Sequence, residues 1–93
     1  MPAVMNMDPA WFESFREKLD RHHSWPTLYI FKFIVPKGKE EELRRLFPLH
    51  ITSERESKNG KYVSLTFQMM MPSGIAVIDV YQKAAVIEGL IAL

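Results

Sequence analysis

The residues of this 93-residue chain that could contact a ligand fall into three groups. The first is Lys32, Arg55, Ser57, Lys61, Tyr62 and Ser64, the polar set around the sheet, which would suit a ligand or a partner surface. The plain alternative is a Lys and a Tyr satisfying a sheet beneath a covering helix. The second is Lys37-Gly38-Lys39, where a strand gives way to a helix. Helix-end amides beside two ammonium groups would suit a carboxylate or phosphate, and the alternative is an ordinary strand-to-helix turn. The third is His22, His23 and His50. Adjacent histidines on a helix end point about 100° apart and make a poor bidentate pair, and His50 has no Cys, Asp or Glu at a ligand spacing. His22 is expected to pack on the Trp11/Phe15 face instead. No metal, no cofactor and no catalytic group is therefore expected, since neither a Ser-His-Asp set nor a carboxylate pair stands out.

Composition supports that restraint. A net charge of +1 comes from balanced acids and bases, which argues against strong attraction to nucleic acid or an anionic membrane. There is no Cys, hence no disulfide framework and no thiolate. Met1 to Met7 show no basic region followed by an apolar stretch, and no apolar run approaches the ~20 residues of a membrane span. A cytoplasmic location is expected. At this size a chain buries roughly 60–65% of its unfolded surface and can gain from dimerising.

The elements that must position these residues follow from pattern. Thr27–Val35 is apolar at nearly every position, which predicts a central strand covered on both faces. Asp8-Pro9 opens a helix over about 9–21, with Trp11, Phe12, Phe15 and Leu19 on one face. Lys39–Phe47 predicts a short helix with Leu43, Leu46 and Phe47 inward, and Glu40–Arg44 and Glu41–Arg45 as ion pairs. His50–Ser57 is a polar edge strand and Lys61–Met71 a strand with odd positions apolar. Ser73 caps a helix over about 74–87 that Gly89 ends, and Leu90–Leu93 forms a last strand.

Parity bears on the hairpin between the second and third strands. A two-residue Asn59-Gly60 turn places Glu54 and Glu56 beside Leu65 and Val63 on the core face. A three-residue loop with Gly60 left-handed pairs Ser57 with Lys61 and Ile51 with Phe67, and turns both carboxylates away. Burying two carboxylates costs more than a bulge, so the three-residue loop is expected, with Arg55 and Ser57 toward the helix side. Tyr62 and Ser64 then share the open face of the sheet, and the register leaves open whether Lys32 joins them.

The order, a helix and then β-α-β-β-α-β, predicts an α+β chain of ferredoxin-like fold: a four-stranded antiparallel sheet in the order 4-1-3-2 with two helices on one face. Residues 1–7 would be a flexible tail and 8–93 one domain, the first helix seated on the open face of the sheet or at its edge. An acylphosphatase-like enzyme of this fold class would need an Arg in the first strand-helix loop, where Lys37-Gly38-Lys39 stands. A single-stranded nucleic-acid-binding sheet is the alternative function. It would use Tyr29 and the Gly60–Phe67 strand, but Ser64 stands where a second stacking aromatic is needed.

Phe15, Lys18-Leu19-Asp20, Trp25-Pro26, the block Tyr29–Pro36, Leu46-Phe47-Pro48, Arg55, Ser57, Gly60–Ser64 and Glu88–Leu93 together resemble the YbeD-like family of small bacterial proteins of unknown function. Gly74-Ile75 departs from it, where a more acidic helix start belongs. The resemblance implies a fold similar to the amino-acid-binding regulatory (ACT) domains, in which the loop corresponding to Val35–Lys39 borders the effector site. It implies no enzyme activity. A non-catalytic regulatory module binding a small metabolite or a partner enzyme is the expected function. Ile75, Val86 and the Leu90–Leu93 edge are the expected surfaces of a homodimer.

Overall fold

The computed structural model describes residues 9–93, so the expected tail and the Asp8 cap lie outside the described residues. The elements are α1 (Pro9–His22), β1 (Thr27–Pro36), α2 (Glu40–Leu46), β2 (Ile51–Glu56), β3 (Tyr62–Met71), α3 (Gly74–Ala84) and β4 (Ile91–Ala92). The fold is α+β, with three helices and a four-stranded antiparallel open sheet ordered β2-β3-β1-β4. Counted from the β4 edge, that order is 4-1-3-2. No helix among the described residues is long and apolar enough to cross a membrane.

β1 and β3 pair without a break from Thr27↔Met71 to Pro36↔Tyr62. Because side chains alternate along a strand, this register sends Phe31, Phe33 and Val35 to the same face as Val63, Leu65 and Phe67, and all six are buried. The helices close over that face. Tyr81 of α3 sets its ring 5.3 Å from Phe31 and 5.8 Å from Phe33, and Phe47 sits 5.5 Å from Phe67. Leu43 is the buried anchor of α2, while Leu46, expected inward, is exposed. In α3 the Ser73 hydroxyl accepts the Ala76 amide at 3.1 Å, which supplies the expected cap.

Four expectations are corrected. β1 is central, but it is covered on one face only: Leu28 and Ile30 are 53% and 59% exposed. A run of apolar residues reported the centre of the sheet, not two-sided burial. α1 lies on neither the open face nor the polar set. It packs beside α3, with Phe15 5.5 Å from Tyr81 and Asp20 close against Gly74, where a side chain would stand 2.7 Å from Asp20 Oδ1. The small Gly74 thus gives α1 its close approach to α3. His23, not His22, takes the aromatic contacts, between Trp25 and Tyr29 at 5.3 and 5.5 Å.

The hairpin is the fourth. Ser57 N–H donates to Tyr62 O at 2.8 Å and Gly60 N–H to Ser57 O at 2.9 Å, so the loop is not the three-residue one. Gly60 is left-handed, with φ 72°. Near the turn Glu54 pairs Leu65 and Glu56 pairs Val63, while farther along Ile51 faces Phe67. A bulge at Thr52 reconciles the two registers, and the Thr52 hydroxyl donates to Thr66 O at 3.2 Å. The expected cost of burial does not arise: β2 is an edge strand, so its helix-side carboxylates stay exposed and meet cations there.

Two outcomes follow from this packing. Gly89 has φ 81°, and a Cβ there would stand 2.7 Å from the Pro36 ring. Gly89→Ala should therefore destabilise the chain by about 1–3 kcal/mol, measured as a lower urea midpoint; an unchanged midpoint would refute the argument. Burial, and then the Tyr29 hydroxyl 3.5 Å away, pushes the Tyr81 phenol far above its ordinary value. The folded state then holds a proton that the unfolded state loses above about pH 10, so this contribution is whole below that pH and falls as pH climbs past it. A phenolate absorbance titration should show Tyr81 ionising only with unfolding, and Tyr81→Phe should flatten the alkaline limb of stability.

Candidate functional site

The β1–β3 register decides which of the sequence-predicted residues meet. Lys32 pairs with Thr66 and Ile34 with Ser64, so Lys32 stands on the open face. The bulge at Thr52 brings Arg55 opposite Ser64 and therefore onto the same face, not toward the helices as expected. Lys32, Arg55, Ser57, Tyr62 and Ser64 together line an open hollow of about 380 Å³, floored by Ile34 and Ile91. Five of the six residues in the first group are thus gathered from β1, β3 and β2 with its end, and β4 adds Ile91. Lys61 is not among them. It sits in the turn, where its amide donates to Asn59 Oδ1 at 3.1 Å and its carbonyl accepts the Lys37 amide. Because α1 lies elsewhere, Lys32 and Tyr62 are not buried beneath a covering helix.

The hydroxyls have structural partners. Ser57 Oγ donates to Asn59 Oδ1 at 2.9 Å and accepts the Tyr62 amide at 3.1 Å, which locks the turn. Ser64 Oγ donates to the Arg55 carbonyl at 3.4 Å, tying β2 to β3. The charged groups behave differently. Among the described residues Lys32 and Arg55 form no ion pair, and the carboxylate that borders the hollow, Glu56, is engaged by Lys37. Two unneutralised cations therefore border an apolar floor. That arrangement suits an anionic group attached to an apolar or planar body, with the Tyr62 ring, partly exposed, available for stacking.

The Lys37-Gly38-Lys39 loop is organised differently from the anion site that its sequence suggested. The Gly38 amide donates to Glu40 Oε1 at 2.6 Å. Glu40's own backbone amide and that of Gly38 hold this carboxyl below the usual carboxylate range. Lys37 is paired with Glu56 and lies 3.8 Å from Glu40, and Lys39 lies 3.7 Å from Glu42. The chain's own carboxylates thus take the places that an anion would need. The expected Glu40–Arg44 pair gives way to a fork in which Arg44 meets both Glu41 and Glu54, joining α2 to β2.

Tyr29, considered for stacking on a base, faces the helices, 4.7 Å from Phe31. Its neighbours on the open face are Leu28 and Ile30, so Tyr62 is the one aromatic that β1 and β3 present there.

Sequence reasoning missed Ile34 and Ile91 as the floor of the hollow and Leu28, Ile30 and Met70 as an exposed patch beside it. The odd-even pattern of Lys61–Met71, carried across to β1, held the signal for the patch. Ile91 had none, because its place depends on how β4 docks. Comparison of the chain with protein-family models, curated proteins and solved structures finds no match.

Proposed function

We propose that this chain is a non-catalytic regulatory module of ferredoxin-like fold, of the kind the YbeD-like resemblance implies, that binds a small metabolite or a partner enzyme on the open face of its sheet. One observation carries the reading: Lys32 and Arg55, both without ion-pair partners among the described residues, flank a hollow with an apolar floor. Binding is favoured over chemistry because the Ser57 and Ser64 hydroxyls serve the hairpin and the strand pair, and the carboxylate at the rim, Glu56, is engaged by Lys37. The face, with a single aromatic, offers little to a stacked nucleic-acid strand.

A thermal-shift screen with amino acids, nucleotides and small carboxylates tests this. A ligand at hundredfold excess over its Kd should raise the midpoint by roughly 10 °C or more, and Lys32→Ala with Arg55→Ala should abolish the shift. A library that leaves the wild type unmoved, or a shift that survives the double variant, would sink the proposal. Binding of single-stranded RNA that weakens steeply with salt would favour the alternative function.

A homodimer belongs to the same proposal and uses a different surface. Ile75 and Val86 are 64% and 76% exposed on and just beyond α3. Sedimentation of the wild type at high micromolar concentration should give a dimer, and Ile75→Lys with Val86→Lys a monomer. A monomeric wild type refutes this interface, as does a dimer that survives the double substitution.

A further inference from the structure

The open face extends well past the hollow. Rows of side chains run along it in register: Leu28 beside Met70, Ile30 beside Gln68, Lys32 beside Thr66 and Ile34 beside Ser64. Leu28, Ile30 and Met70 form an exposed apolar end, Met70 at 64%, and contiguous patches of this kind on a small chain mark interaction surfaces. The face carries no unpaired negative charge, since Glu56, which borders the hollow, is held by Lys37. β1 and β3 contain no Asp or Glu, and Glu54 and Glu56 of β2 turn to the helix side, where Arg44 and Lys37 hold them. Lys32 and Arg55 are left as unopposed cations at the other end.

We infer that this face docks an acidic amphipathic helix of a partner protein, its apolar side chains on Leu28, Ile30 and Met70 and its carboxylates on Lys32 and Arg55. The inference rests on the reading of the open face as a binding surface and names the chemistry of the partner. Charge selects the occupant. A second copy laid face to face brings another Lys32 and Arg55 and no unpaired acid to meet them, since its Glu56 is held by Lys37, and like-charge repulsion disfavours that pairing. Size agrees as well. From Leu28 to Ile34 the face runs roughly 20 Å, the length of about 13 helical residues. Four strands span roughly 15 Å, room for one helix about 10 Å across. The opposite face of the sheet already carries helices, and this one has none among the described residues.

The test uses two labelled synthetic peptides of about 18 residues, enough to span the face as a helix, one with a Leu face and a Glu face and its twin with Lys in place of Glu. Fluorescence anisotropy with the full chain should show binding of the Leu/Glu peptide over the Leu/Lys peptide, weakening with salt. Lys32→Glu with Arg55→Glu should weaken the Leu/Glu peptide by about tenfold or more and reverse the preference. Ile30→Asp, at an exposed position, should weaken both peptides without moving the unfolding midpoint. Equal binding of the two peptides, or none, overturns the inference. So does a wild type that sediments as a dimer and becomes a monomer with Ile30→Asp, which would assign the face to a second copy. If the Leu/Glu peptide fails while small anions still stabilise the chain through Lys32 and Arg55, the helix partner is refuted and the metabolite site stands; if both fail, neither stands.

Discussion

Ten unbroken residue pairs between β1 and β3 set the terms for everything else in this molecule. A strand side chain has two faces to choose from, and one register fixes that choice for both strands at once. Phe31, Phe33, Leu65 and Phe67 go inward together and are fully buried. Tyr81 then closes the layer by setting its ring against Phe31, Phe33 and Phe15. The same register obliges Leu28, Ile30, Lys32 and Tyr62 to face outward, whatever their hydrophobicity. The candidate site is the other side of the core's own pairing.

Charge distribution follows from one extra residue. The bulge at Thr52 shifts β2 by one position against β3, so that Arg55 and not a glutamate stands opposite Ser64. On the helix side of that edge strand Glu54 and Glu56 are taken up by Arg44 and Lys37. These are exposed pairs, and such pairs add little to stability. Their consequence is electrostatic: the helix side is neutralised locally, while Lys32 and Arg55 are left without acids. A chain of net charge +1 thereby presents one face whose unpaired charges, among the described residues, are both positive. The strand-to-helix loop illustrates the converse, since Glu40 occupies the Gly38 amide and a site legible in the sequence is closed by the chain itself.

Much was written in the sequence. The order of elements, the Ser73 cap, the left-handed Gly60 and Gly89, and the inward set of β3 all follow from local rules, because cap, turn and alternation depend on residues only a few positions apart. The polar set was legible as a group for the same reason: Arg55, Ser57, Tyr62 and Ser64 belong to one hairpin.

What only the tertiary structure decided depends on distant partners. Whether Lys32 joined that set turned on the pairing of β1 with β3, across more than thirty residues of chain. Whether β1 was covered on one face or two turned on where α1 came to rest, and Gly74 drew it against α3 by admitting Asp20. An apolar stripe states that a helix must bury a face, not which surface will receive it. Parity stated where Glu54 and Glu56 would point, but the cost of that direction depended on β2 lying at an edge within reach of Arg44 and Lys37. Local sequence fixes the direction of a side chain, whereas burial is a property of whatever else arrives there, and this chain's open, basic and apolar face exists because nothing in its described residues does.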